Sequence, residues 1–474
     1  MTVASNSRFA NPACQASAAT LKGRRSTMDF ASSSDLMISA AREPRSAPVD
    51  RVEAAFATAG TRAARHVFIG LDKDRIRADA VRSQRRWQSA AHLSALDGVP
   101  VAIKDNIAEA GVVMTAGSAV LRDGPPQVAD AAIVARLKRL GAVPFGRANL
   151  SEVAFSGLGL NPHFGTPCNA VDPEANLVPG GSSSGCAVAV ALGLVPLALG
   201  TDTSGSGRVP AAFNGIVGYR PSRGRYPEKG VFPLAPGLDT PAVLGRAVAD
   251  CVTLDELLSG EKALPVEPRA ELVVPETVVL DGLDPAVSRQ FDDALACLAN
   301  AGFAIRRRGL TSFEWLSEAM ARHGTPVTAE AAETLRAYAD NPRIDRRVRH
   351  RLQQGLAQGP DARAVLDTAR QAAQMALAEE LGNACMVFPT VPIQPPRIAD
   401  LEADDAAFAR CNALVLRNTM LGSLLDTPAI SLPFMSHGRH PIGVQLSMRQ
   451  GRDRPLLALA RAIERHFQNM RQAG

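Results

Sequence analysis

Aromatic residues make up only 4% of the 474 positions, so a stacking surface for bases or glycans is not expected. Cysteines are also sparse. There are seven, at 14, 168, 186, 251, 297, 385 and 411, and none forms a CxxC pair. That pattern excludes a disulfide framework and a cysteine-based zinc site, and it fits reduced thiols in a cytoplasm. No run of 18 uninterrupted apolar residues occurs, so no membrane-spanning helix is expected. Charge of one sign is missing too. Lys plus Arg total 52 against 47 for Asp plus Glu, too thin an excess over this length to call for nucleic acid. Residues 1–27 are small, polar and basic, without the apolar core of a secretory signal. They are expected to be a disordered leader, with the start of translation open between Met1 and Met28.

What remains is the composition of a globular protein, 46% apolar and 21% charged. The length allows one large core or two domains. Helical spacing over Val52 to Gly60 is followed by a short strand over His66 to Asp72. A second strand covers Val99 to Ile103. Asp130 is placed to cap the helix that follows it, and Gly141 to end that helix. "AVPF" (Ala142 to Phe145) then reads as a strand. This alternation argues for an α/β fold, a central sheet covered by helices on both faces. From about 260 to 381 the text is richer in Arg, Glu and Ala. It reads as a helical insertion with one strand at Glu271 to Val274. "ACMVFPT", "TPAISLPF" and "PIGVQLSM" return to sheet-like text, and a last helix follows Asp453. A single domain over 28–474 is the preferred division.

One stretch stands out: "VPGGSSSGCAVAVALGLVPLALGTDTSGSGRVPAA", Val178 to Ala212. Two serine- and glycine-rich loops bracket an apolar run. Gly185 to Leu194 favours a buried helix with a serine as its cap, and Val195 to Gly200 a buried strand. About ten helical residues advance the chain about 15 Å. About five strand residues return it about 17 Å. A strand running back along the helix therefore brings Ser182 and Ser206 to one end of the layer. Glycines let backbone N–H groups turn into the same volume. None of the eight histidines lies in either loop, so a base that activates a serine must come from elsewhere.

"GVPVAIKDN" offers that base. Alternation puts Val99, Val101 and Ile103 on one face of the strand, and Pro100, Ala102 and Lys104 on the other. At an ordinary pKa only about one lysine in 2,500 is neutral at pH 7. Burial among small apolar neighbours depresses the value and can make lysine a workable base. The simpler reading is a surface lysine paired with Asp105.

The three texts "GVPVAIKDNI", "GGSSSGCAVAVALG" and "GTDTSGSGRVPAAFNGIVGYRPSRG" together resemble the amidase signature family. The likeness is strong from Leu96 to Pro241 and weaker from Thr427 to Phe467. It implies an amide hydrolase with a serine–cis-serine–lysine triad. Ser206 would be the nucleophile, and Ser182, after a cis peptide bond, would bridge it to Lys104. The backbone N–H groups of Thr203, Ser204, Gly205 and Ser206 would form an oxyanion hole. Asp202, Arg208 and Ser183 would support the loops. The substrate would be a small-molecule amide, with no cofactor, no metal, no nucleic acid and no membrane. A homodimer is the family's habit. The chain departs from many members at Ser204, where they have glycine, and at Gly207, where they have a bulky aliphatic residue. The motif text is closest to the amidase half of allophanate hydrolases. Those carry a tyrosine and an arginine where "HGTPVTAEA" places His323 and Ala331, which speaks against allophanate. Phe155 to Gly165 and the region near His323 are candidate pocket walls.

Three other readings are open. "GSSSG" fits a hydrolase elbow centred on Ser183, which would need a preceding strand and a partner such as His437 or His440. Glycine-rich loops at helix starts also bind anions without catalysis. The third is an amidotransferase subunit acting with partner chains on charged tRNA, weakly permitted by the basic stretch Arg343 to Arg351.

Overall fold

The computed structural model describes residues 46–264 and 270–473. The expected leader, Cys14 and Met28 lie outside the described residues. One mixed sheet contains β1 (Phe68–Gly70), β2 (Pro100–Lys104), β3 (Val143–Ala148), β4 (Leu197–Thr201), β5 (Val217–Arg220), β6 (Pro241–Gly245), β7 (Leu272–Pro275), β8 (Ile305–Arg308), β9 (Cys385–Pro389), β10 (Ala429–Phe434) and β11 (Ile442–Ser447). Their spatial order is β1-β3-β2-β4-β6-β5-β10-β11-β9-β7-β8. β2 lies parallel to both β3 and β4, and β7 parallel to β8 and β9. The pairings from β4 through β6, β5, β10 and β11 to β9 are antiparallel.

Both faces of the sheet are covered, and alternation along the strands decides which side each residue enters. Val101, Ile103, Leu197, Leu199 and Val243 join one core cluster. Ala102, Ala198 and Leu244 join another, built with helices Pro48–Ala59, Lys73–Gln88 and Ser184–Ala191. A third core lies among helices Thr311–His323, Arg346–Leu356, Pro360–Leu381 and Asp405–Leu424. The segment 260–381 thus holds helices, as expected, and the expected strand as β7. It also holds β8, an unanticipated edge strand whose three arginines are exposed and leave no apolar alternation to read. β7 and β8 extend the main sheet.

Two local expectations are corrected. Helix Ala132–Arg139 has Ala131 at its cap position. Asp130 instead accepts from the Ala110 N–H at 2.8 Å and Lys138 Nζ at 2.7 Å. Ser183 sits at the cap position of helix Ser184–Ala191, but its side chain caps nothing. Gly141 does follow its helix, with φ 87°.

The final helix, Asp453–Ala473, is anchored to the sheet by its first residue. Asp453 accepts from Tyr219 Oη at 2.7 Å, Ser222 N at 2.8 Å and Ser222 Oγ at 2.6 Å, all buried. Asp453→Ala leaves those donors unpaired and is expected to lower unfolding stability by about 3 kcal/mol. Urea unfolding checks this, and an unchanged midpoint contradicts it.

Candidate active site

β2 and β4 run parallel with Val101 opposite Leu197 and Ile103 opposite Leu199. Their carboxyl ends therefore finish side by side, the usual place for a site in an α/β sheet. Lys104 ends β2 on the face of Ala102, under helix Ser184–Ala191. Its side chain is wholly buried. Nζ lies 2.7 Å from Ser182 Oγ and 2.8 Å from Thr201 Oγ1. Thr201 Oγ1 also accepts from Asn106 Nδ2 at 3.1 Å. Burial lowers the Lys104 ammonium from its ordinary value to about 7, against a partial upward pull from neighbouring Cys186, Asp202 and Asp239. Asp105 is not its partner. That carboxylate pairs with Arg147 at 2.8 Å and accepts from the Thr115 hydroxyl.

The two serine loops meet as the chain lengths required. The peptide bond between Gly181 and Ser182 is cis. Ser183 N donates to the Ser206 carbonyl at 3.1 Å, and Ser183 Oγ donates to the Thr201 carbonyl at 3.2 Å. Ser206 is buried and stands just before helix Arg208–Asn214. The structure thus brings Lys104, Ser182, Ser183 and Ser206 into one buried cluster.

The second loop is wound around Asp202. Its carboxylate accepts from Gly205 N at 2.8 Å and Gly207 N at 3.1 Å, and from Arg208 Nε and Nη2, both at 2.9 Å. Arg220 Nε lies 3.5 Å away. Burial alone would raise the Asp202 carboxyl, but Arg208, Arg220 and the backbone donors outweigh it and hold the group at about 2. Arg208 reaches on to Gln445 Oε1 at 3.0 Å and Ser423 Oγ at 2.8 Å, which ties the loop to β11 and helix Asp405–Leu424.

The four backbone donors expected to act together are not equivalent. Gly205 N–H is turned toward Asp202, away from the role expected of it. The N–H groups of Thr203, Ser204 and Ser206 bond no acceptor among the described residues. Gly205 itself has φ +134°, and a Cβ there would lie 2.1 Å from Thr419 Oγ1. Gly207 is a glycine because β6 passes close, and a Cβ would meet that of Ala242 at 2.9 Å. A bulky aliphatic side chain has no room there.

Four residues that hold the cluster were not anticipated. Thr201 and Asn106 orient Lys104. Asp239 accepts from Thr203 Oγ1 at 2.5 Å, and Thr419 Oγ1 donates to the Ser204 carbonyl at 2.6 Å. Thr201 sits inside the quoted motif and Asn106 two residues after Lys104, so both were within reach of the strand register. Asp239 and Thr419 carry no local signal. The elbow reading fails on geometry: no strand precedes Ser183 directly, and its hydroxyl is committed to Thr201. His437 pairs instead with Asp293 at 3.2 Å.

A cavity of about 740 Å³ lies among the helices outside the loops, and no residue of either serine loop lines it. Helices Thr311–His323, Pro326–Thr334, Arg346–Leu356 and Asp405–Leu424 wall it. Its lining residue Asn412 reaches the first serine loop only through Gly157. Asn412 Oδ1 accepts from Ser156 Oγ at 3.0 Å and Gly157 N at 2.8 Å, and the Gly157 carbonyl accepts from Gly181 N at 2.7 Å. His323 is half-buried and Ala331 is buried in the core; neither lines the cavity. Among the described residues, no group of three His, Cys, Asp or Glu side chains could hold a metal ion.

A mixed sheet covered by helices, with a buried lysine beside two meeting serine loops, has the architecture of an α/β-class hydrolase. The Amidase family model matches residues 51–457, and the chain belongs to that family. It is similar to a 2-amino-5-chloromuconic acid deaminase of Comamonas testosteroni, 34% identical over 83% of this chain and 87% of that protein. It is also similar to an indoleacetamide hydrolase of Pseudomonas savastanoi, 33% identical over 81% of this chain and 87% of that protein. Among solved structures, an amidase crystal structure superposes with a TM-score of 0.81 at 30% identity, covering 91% of this chain and 98% of that one. The chain is an amidase, an enzyme that hydrolyses amides.

Asp202→Asn removes a buried charge from Arg208 and Arg220 while keeping the shape. It is expected to lower stability by about 3 kcal/mol or more at neutral pH. Denaturant unfolding reads this out; a wild-type midpoint would show that Asp202 does not hold the loop.

Proposed function

We propose that the enzyme cleaves a small-molecule amide through an acyl-enzyme on Ser206, with neutral Lys104 as base acting through Ser182. The observation that carries this reading is the 2.7 Å contact from Lys104 Nζ to Ser182 Oγ in a site where, among the described residues, no carboxylate pairs with the lysine. With a pKa of about 7, roughly half the amines are neutral at pH 7. Such an amine donates to Thr201 Oγ1 and keeps its lone pair for the Ser182 proton. Ser182 Oγ in turn takes the proton of Ser206 Oγ as that oxygen attacks the carbonyl carbon. The developing oxyanion is received by the N–H groups of Thr203, Ser204 and Ser206, each such donor typically worth about 3 kcal/mol of barrier. The tetrahedral adduct collapses to the acyl-enzyme as the C–N bond breaks. The nitrogen leaves as ammonia or an amine, carrying the proton relayed back through Ser182. Water, activated by the same relay, then releases the acid.

The reading places the enzyme in the cytoplasm, the compartment that suits its free thiols. It acts as a single chain or a homodimer and needs no partner subunit. Hydrolysis of a free amide by the purified chain is therefore expected. The amidotransferase-subunit reading expects none.

Ser206→Ala is expected to cut kcat by at least about a thousandfold with an unchanged fold, and Lys104→Ala to be similarly severe. Measurable turnover by the folded Ser206→Ala protein removes Ser206 as nucleophile. The pH profile is an independent test. The active form of Lys104 is the neutral one, so kcat/KM should rise about tenfold per pH unit below about 7 and level off above it. A flat profile from pH 5.5 to 8 means that another base operates.

A further inference from the structure

Between β5 and β6 the chain makes a tight turn that is tied down on its own account. Leu238 N and Asp239 N both donate to the Ala235 carbonyl, at 2.8 and 2.9 Å. Gly237 N donates to Glu330 Oε2 at 2.7 Å, and Arg370 Nη2 donates to the Gly237 carbonyl at 3.2 Å. Two helices of the segment 260–381 thus hold the tip of the turn. A side chain at Gly237 has no room, since a Cβ there would lie 2.6 Å from Glu330 Oε1.

Asp239 closes this turn and divides its carboxylate. Oδ2 accepts from Leu234 N at 2.8 Å and Ala235 N at 3.1 Å. Oδ1 accepts from Thr203 Oγ1 at 2.5 Å, across the boundary to the second serine loop. Burial raises the Asp239 carboxyl against the pull of these three bonds, and Glu330 pushes the same way as burial. No cation lies at ion-pair distance from it among the described residues. Such a carboxylate is costly unless its oxygens are well bonded. The turn uses one of them, and the other is given to Thr203.

Thr203 is buried, and the peptide unit that carries its N–H is tied on both sides. On one side Asp202 N donates to the Thr240 carbonyl at 2.8 Å; on the other stands the bond from Thr203 to Asp239. The Thr203 N–H between these ties bonds no acceptor among the described residues. Resting on the hydrolase reading above, we infer that Asp239 is a positioning residue: through the Thr203 hydroxyl it fixes the direction in which the Thr203 N–H meets the oxyanion. Asp239 itself touches no reacting atom. An oxyanion donor is effective only while it is held in place beforehand, and a displacement of about 1 Å costs up to about a hundredfold in rate.

The test uses the purified full chain and the primary amide it hydrolyses fastest among small aliphatic and aromatic amides, read as ammonia release. Asp239→Asn leaves one acceptor oxygen for three donors. Thr203→Val removes the hydroxyl and keeps the shape. Each is expected to lower kcat about tenfold or more with KM within about twofold, because the oxyanion contact is made in the transition state. The double variant should lose about as much as the worse single one, since both changes cut the same tie. Thr203→Ser keeps the hydroxyl and should lose far less than Thr203→Val. A wild-type kcat in Asp239→Asn, a loss carried mainly by KM, or losses that multiply in the double variant overturn the inference. Equal losses from Thr203→Ser and Thr203→Val do the same. All of these leave the hydrolase reading standing. That reading falls on different results, namely no ammonia released by the wild-type chain or turnover by folded Ser206→Ala protein. If Asp239→Asn fails to fold, the comparison of Thr203→Ser with Thr203→Val decides.

Discussion

An amine kept out of water and, among the described residues, without an ion pair is the constraint on which the rest of the molecule depends. A lysine at the surface is a cation throughout the physiological range. Lys104 escapes this because three things coincide. It ends a central strand, the helix Ser184–Ala191 covers its face, and its two close polar neighbours are hydroxyls. An ammonium there is destabilising, while a neutral amine is satisfied by Thr201 and Ser182. The fold therefore favours the uncharged amine. The buried anion nearby is treated in the opposite way. Asp202 is compensated by two arginines and by the backbone of its own loop, so it remains charged and serves as a post around which the chain winds.

These two treatments divide the work of the serine loops. The first loop supplies hydroxyls that can pass a proton. The second is held rigid by Asp202 and Thr419, and its remaining N–H groups are left unused by the chain itself. The commitment of Gly205 N–H to Asp202 is part of the same economy. That donor fixes the turn, and its neighbours keep their directions because of it. Tight contacts at Gly205 and Gly207 mark where the loop has no slack.

Much of this was readable from the residues. The near-cancelling lengths of helix and strand placed Ser182 and Ser206 at one end of a layer, and period-two alternation gave Lys104 the face it occupies. What escaped has physical reasons. β5 and β6 are four- and five-residue strands buried on both faces, with no polar alternation to mark them. β8 is a polar edge. Asp130 and Ser183 fit the cap pattern, but nearby donors and acceptors from other elements outcompeted the local bond. Asp239 and Thr419 touch the loop only through tertiary contacts, which no spacing along the chain reveals. The cavity is assembled from helices far apart in sequence, so no spacing along the chain reveals it.

Helix Asp405–Leu424 lies between the serine loops and the cavity, and Asn412 belongs to both sides. Residues 412, 419 and 423 meet the loops through Gly157, Ser204 and Arg208. Residues 409, 413, 417 and 420 look into the cavity. The 3.6-residue repeat thus writes two messages on one rod, which overlap at Asn412. Substitutions in the second phase can reshape the cavity, turn by turn, while the bonds that hold the serine loops stay as they are.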